Sequence, residues 1–135
     1  MRNAIPDAEY VAPVSVVIAT LGTESLRGTV EHLNGGTLIP REILICIPEE
    51  NAHTVDGLVL GNVKVVRTGF RGQVAQRAAG FRLATTPFVL QLDDDIQISE
   101  TCLSVLLTRV AASAHVAAGP KWYDARTGKY HSFLV

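Results

Sequence analysis

Along this chain, short runs of consecutive apolar residues alternate with stretches whose apolar residues recur at helical spacing. Val14-Ser15-Val16-Val17-Ile18-Ala19 is apolar and β-branched, which predicts a buried strand. Thr20-Leu21-Gly22-Thr23 breaks it, and Thr23 is placed to cap a helix with Glu24 in its first turn. Leu26, Val30 and Leu33 share one face of that helix, which Gly35-Gly36 ends. A second buried strand is predicted over 42–47 and is stopped by Pro48. A polar loop, 49–53, follows, and 54–61 reads as a turn or a short helix. Residues 63–66 predict a third strand, and a glycine break at 69–72 leads into a helix over 73–84. On that helix Val74, Ala78 and Phe81 are expected to share the inner face, with Gln76, Arg77 and Arg82 at the surface. Thr85-Thr86-Pro87 ends it.

The fourth apolar run, Phe88-Val89-Leu90-Gln91-Leu92, predicts another buried strand, and Asp93-Asp94-Asp95 follows it directly. Ser99 is the expected cap of a further helix, with Glu100 in its first turn and a stripe of Leu103, Leu106, Leu107, Val110 and Ala111. An extended segment is expected from Val116 to Gly119, and Ala125-Arg126-Thr127-Gly128 reads as the turn of a hairpin between Trp122-Tyr123 and 130–135. Strands that are apolar throughout and alternate with helices predict an α/β fold, a mostly parallel sheet with helices on both faces. Ligands of such sheets bind outside the carboxyl ends of the strands. Here those ends carry Ala19-Thr20, Pro48-Glu49-Glu50 and Asp93-Asp94-Asp95, three polar segments placed to converge on one crevice.

Composition narrows the picture. The 135 residues suffice for one domain with its own core, and 47% hydrophobic against 19% charged residues favours a packed fold over disorder. A formal net charge of −1 gives no electrostatic case for nucleic acid. No stretch has membrane-spanning length, and Met1 to Pro13 reads as a lead-in (1–12 ahead of a domain over 13–135), not a secretory signal. Cys46 and Cys102 lack metal spacing and read as buried free thiols, which suits a reducing, cytoplasmic setting. His32, His53, His115 and His131 are scattered without ligand spacing. There is no Gly-x-x-x-x-Gly-Lys loop and no Gly-x-Gly-x-x-Gly fingerprint after a strand, which argues against a P-loop nucleotidase and a dinucleotide oxidoreductase.

The acidic triplet is the chemical signal. Three adjacent carboxylates repel one another unless solvent, a donor or a cation offsets them. Mg²⁺ and Mn²⁺ favour one or two carboxylates plus phosphate oxygens, so the triplet suggests a site for a phosphorylated ligand held through a divalent ion. Its alternative is a solvated turn ahead of the next helix. Glu49 and Glu50 likewise read either as part of the crevice or as a solvated loop, and Trp122 and Tyr123 either border a pocket or pack the hairpin.

Several of these residues together resemble the family 2 glycosyltransferases. The opening strand from Pro13 to Thr20, the helix with Gly72, Arg77 and Gly80, Ala84 and the strand into Leu92-Asp93-Asp94-Asp95, and Gly119-Pro120 resemble that family in order and spacing. The resemblance implies the GT-A fold, a nucleotide-diphosphate sugar as donor and a hydroxyl acceptor: a glycan, a lipid or a small molecule. It implies that Ala19 and Thr20 line the nucleotide pocket, that Asp93 sits near the ribose or metal, and that Asp95 binds the Mg²⁺ or Mn²⁺ bridging the diphosphate. Asp94 is the middle, variable position of the family's DXD motif. Arg77 would be a phosphate or pocket-wall contact, or a structural ion pair. The family's second strand ends in base-reading aspartates, where this chain has Glu49 and Glu50, and its asparagine after the helix arginine is Ala78 here.

Family domains continue past the carboxylate strand into an acceptor-binding half that supplies a general base. The chain stops at Val135, and Asp124 follows the triplet too closely to match that base, reading instead as a turn-former. The expectation is therefore the nucleotide-sugar-binding half of such an enzyme, with apolar surface on which it could self-associate. A non-catalytic donor-binding remnant or assembly subunit is the first alternative. A nucleotidyltransferase is the second, weakened by the lack of a glycine-rich basic loop after the first strand.

Overall fold

A computed structural model describes residues 10–113, 117–119 and 122–131. The start of the lead-in, His115, Val116, Pro120 and the last residues of the expected hairpin lie outside them. The elements run β1 (Val11–Ala19), α1 (Ser25–Asn34), β2 (Ile39–Pro48), a 3₁₀ segment (Glu49–Leu58), β3 (Val63–Thr68), α2 (Gln73–Leu83), β4 (Phe88–Leu92), α3 (Cys102–Ala111), β5 (Trp122–Tyr123) and β6 (Tyr130–His131). The first four strands form one parallel sheet in the order β3-β2-β1-β4, and β5 pairs antiparallel with β6. The 3₁₀ segment takes in all of the expected polar loop, 49–53, and continues into 54–58 of the undecided stretch, because Ala52 and Val55 are buried against the core.

Each strand's alternation divides the core into two layers. Val14, Val16 and Ile18 of β1 and Ile43, Ile45 and Ile47 of β2 face α1, whose Leu26, Val30 and Leu33 are buried as their spacing predicts, and Leu103 of α3. The opposite face presents Val17, Leu44, Cys46 and Val66 to α2. Helices therefore cover both faces. Full burial of each such Ile or Leu contributes about 1.5–3 kcal/mol, which makes central β1 and β2 the best-anchored part of the sheet.

The inner face of α2 departs from expectation. Its buried residues are Gln76 and Gly80, while Val74 is 80% and Phe81 45% exposed. The reason is distance. A Cβ on Gly80 would lie 2.6 Å from both Cys46 Sγ and Val17 Cγ1, so the helix rests almost directly on the strands. Small residues and one satisfied amide fit that gap, and the larger Val74 and Phe81 are turned outward.

Three smaller expectations are also corrected. Thr23 does not cap α1: the cap position is Glu24, and the Thr23 hydroxyl bonds that of Ser25 at 2.9 Å. Ser99 does not cap α3 with its side chain; Thr101 holds the cap position, and the Ser99 carbonyl accepts Cys102 N–H at 3.1 Å. β4 has the expected bounds but is an edge strand with half-buried residues alternating with exposed ones, because only one of its faces meets helices among the described residues.

A buried charge braces the α2 face. Glu42 is 1% exposed and accepts hydrogen bonds from Ser15 Oγ (2.6 Å), Thr85 N (2.8 Å), Thr85 Oγ1 (2.9 Å) and Lys64 Nζ (3.0 Å). Burial pushes its pKa up, but donation from Ser15, Thr85 and Lys64 outweighs that and holds it at about 2. One carboxylate thereby joins β1, β2, β3 and the turn into β4.

Candidate functional site at the carboxyl rim of the sheet

Register brings the polar strand ends together. Ile18 pairs with Leu92 and Ala19 with Cys46, so the residues following β1 and β4 emerge side by side. Thr20 is the junction. Its N–H donates to Cys46 O at 3.1 Å, and its hydroxyl donates to Asp94 Oδ2 at 2.7 Å while accepting Gly22 N–H at 2.9 Å. Thr20 is buried, so the hydroxyl holds Asp94 inward. The carbonyl of Asp94 also accepts hydrogen bonds from Ser25 Oγ and Thr29 Oγ1 of α1, each at 3.1 Å.

With the middle carboxylate turned in, its neighbours are left outward. Asp93 Oδ1 pairs with Arg77 NH2 at 2.7 Å, with a side-chain exposure of 55% for Asp93 and 21% for Arg77. Asp95 is exposed, and among the described residues no hydrogen bond or ion pair engages its carboxylate. Arg77 Nε is buried and has no partner, the one such side-chain atom among the described residues. Its guanidinium thus keeps one donor unused while another pairs with Asp93.

α2 enters the rim through Gly72, whose φ of 132° favours glycine. Four residues on, the Gln76 amide is 2% exposed: its oxygen accepts Gly72 N–H at 3.1 Å, and its nitrogen donates to Thr20 O (2.9 Å) and Cys46 O (2.8 Å). Gln76 is thus buried, not at the surface as expected. Its signal was a polar residue four positions before Gly80, on the face that must approach the sheet.

Glu49 and Glu50 lie at the end of β2 as expected, but both carboxylates are engaged. Glu49 pairs with Arg67 at 3.0 Å and Glu50 with Arg71 at 2.9 Å, all largely exposed. The backbone N–H of Glu50 and the Arg71 guanidinium hold the Glu50 carboxyl below its usual range. Arg71 also donates to Asn51 Oδ1 (3.0 Å), and Asn51 Nδ2 donates to Leu21 O (3.1 Å), which ties three rim loops together. Sequence reasoning passed over Asn51, Ser25 and Thr29 because small polar residues in loops and first turns are common there.

Among the described residues, no group of three or more His, Cys, Asp or Glu is arranged to hold a metal ion. The donor set still fits a hard divalent ion of the Mg²⁺ type, which needs one or two carboxylates and completes its shell with phosphate and water. Asp95 and the outer oxygen of Asp93 are the groups that would hold it. Asp124 lies elsewhere in the chain and shapes the β5–β6 turn, accepting Arg126 N–H on Oδ1 at 2.8 Å and Gly128 N–H on its carbonyl at 2.7 Å. Among the described residues no helix is long and apolar enough to cross a membrane.

The model of a family described as Glycosyl transferase family 2 matches residues 15–134. The crystal structure of S. aureus TarS 1-349 is similar in fold, with a TM-score of 0.60 at 19% identity over 73% of this chain. The chain spans 32% of that structure's length. No curated protein sequence matches the chain. With the parallel sheet, helices on both faces and a family match across nearly its whole length, the chain belongs to glycosyl transferase family 2 and has a fold of the GT-A type.

Proposed function

We propose that this chain forms the donor-binding portion of a glycosyltransferase that moves a sugar from a nucleotide diphosphate to a hydroxyl acceptor. The observation that carries this reading is the Asp93-Asp94-Asp95 turn: Thr20 holds Asp94, Arg77 pairs with Asp93, and the unpartnered Arg77 Nε lies alongside. Ala19 and Thr20 would form the floor under the nucleotide, and the Glu49–Glu50 end of β2 its flank. Arg77 would turn its guanidinium toward a phosphate oxygen, exchanging or sharing its contact with Asp93. Bound by Asp93 and Asp95, Mg²⁺ or Mn²⁺ would stabilise the charge that grows on the departing diphosphate. The two unpaired cysteines suit a reducing, cytoplasmic compartment.

The test is calorimetry with UDP-, GDP- and ADP-sugars, each with and without Mn²⁺. We expect at least one donor to bind only with the metal, and Asp95→Ala to weaken it more than about 10-fold. Absence of binding by the unaltered chain across these donors would falsify the reading. A second reading, donor binding without transfer, is favoured by the engagement of Asp124 in its own turn. It predicts donor affinity without sugar release to any acceptor, and measured transferase turnover would exclude it.

A further inference from the structure

We infer that Gln76 is a positioning residue that sets the geometry of the carboxylate turn without itself touching the ligand. The inference rests on the donor-binding reading above. The Gln76 amide spans the carboxyl ends of β1 and β2 by donating to Thr20 O and Cys46 O. It also accepts the N–H of Gly72, which fixes the start of α2. Both amide protons and the oxygen are thus used, and the group is closed to water.

Two paths lead from this amide to the triplet. The first runs through Thr20, held at its carbonyl by Gln76 and at its N–H by Cys46 O, whose hydroxyl then meets Asp94 at 2.7 Å. The second runs along α2 to the adjacent Arg77, whose reach to Asp93 depends on where the first turn of the helix sits. One buried side chain therefore sets both the inward carboxylate and the partner of an outward one. Neither path needs the ligand, so the turn is formed before anything binds.

Gln76→Ala removes the bridge and leaves Thr20 O without this donor and Gly72 N–H without this acceptor, while Cys46 O keeps the N–H of Thr20. The matched control is Leu33→Ala, in the core at the far end of α1 and remote from the carboxyl rim. Both variants lose thermal stability, but Gln76→Ala is expected to weaken Mn²⁺–UDP binding about 10- to 100-fold, while Leu33→Ala leaves it within about 2-fold at a temperature where both are folded. Equal weakening in the two variants would overturn the inference. Should Gln76→Ala not fold, Gln76→Glu serves: protonated, its carboxyl can donate one hydrogen bond, so its affinity relative to the unaltered chain should rise as pH falls from 7 to 5. A flat ratio would count against the proposal.

One measurement needs no substitution. In NMR of the unaltered chain, the Gln76 side-chain amide protons should exchange slowly, and their signals should move when Mg²⁺–UDP is added. Free exchange, or signals unmoved at saturation, would also overturn it. If the unaltered chain binds no nucleotide, the donor reading fails; slow exchange would then show the bridge to be structural only, and the positioning role would fall with that reading.

Discussion

Gly80 shows how one missing side chain sets the distance between a helix and a sheet. Adding a methyl group there places it 2.6 Å from Cys46 Sγ and Val17 Cγ1, inside any tolerable contact. Gly80→Ala should therefore destabilise the fold by about 1–3 kcal/mol through overpacking, despite the higher helix propensity of alanine. Denaturant midpoints would show this, and a second substitution, Cys46→Ala, should recover part of the loss. A gain in stability from Gly80→Ala would contradict the close approach. Cys46 itself is buried, and burial pushes its thiol up to about 11. It should react with a disulfide reagent at pH 8 only as the protein opens, more slowly than the half-buried Cys102. The residue types at the rim were legible in the sequence; their partners were not. The triplet Asp93-Asp94-Asp95 stood out as an unusual cluster, yet nothing in its spacing says that Asp94 turns toward Thr20 and Asp93 toward Arg77. Those choices depend on residues 74 and 16 positions away, brought close only by the sheet.

At the scale of elements, the apolar runs were dependable and helix faces less so. The strands formed where the sequence placed them, since a run such as Ile43-Leu44-Ile45-Cys46-Ile47 has no good solution except burial on both sides. α2 misled because its inner face is set by proximity to the strands rather than by hydrophobicity. Replacing the exposed Val74 with Glu should accordingly change stability by less than about 0.5 kcal/mol, whereas Leu26→Ala, in the α1 core, should cost about 2–5 kcal/mol; chemical denaturation distinguishes them. The Glu42 network is another feature that periodicity hides. Its folded pKa of about 2 lies below the ordinary 4.5, so its contribution is present above about pH 4.5 and is lost as pH falls toward 2. That difference corresponds to stability on the order of 3 kcal/mol. Unfolding measured between pH 5 and 2 should show this loss, and Glu42→Gln should flatten it while lowering stability at neutral pH.

For the molecule as a whole, the parallel sheet ends at β4 among the described residues. There Val89 of the edge strand is 44% exposed, and on α2, which packs against β1 and β2, Phe81 is 45% and Leu83 56% exposed. The strand carries no Lys, Pro or bulge of the kind that discourages edge pairing. Self-association through this flank is our expectation, and Val89→Lys should lower concentration-dependent light scattering without changing the melting temperature by more than a few degrees. Scattering unchanged by that substitution would place any association elsewhere. The general α/β architecture could be read from the order of runs, but the exposure of this flank could not, because a strand's neighbours are set by topology and not by its own residues.

The placement of β4 beside β1 also orders events in time. A ribosome delivers β1, α1, β2, β3 and α2 before it delivers β4, and the Thr20–Asp94 bond spans 74 residues. Closing so long a loop is entropically costly and slow. The nascent chain can therefore assemble β1, β2 and β3 while the cradle for a ligand does not yet exist. The carboxylate turn follows the last of these four strands to be made, so ligand capture during synthesis would report that β4 had docked beside β1.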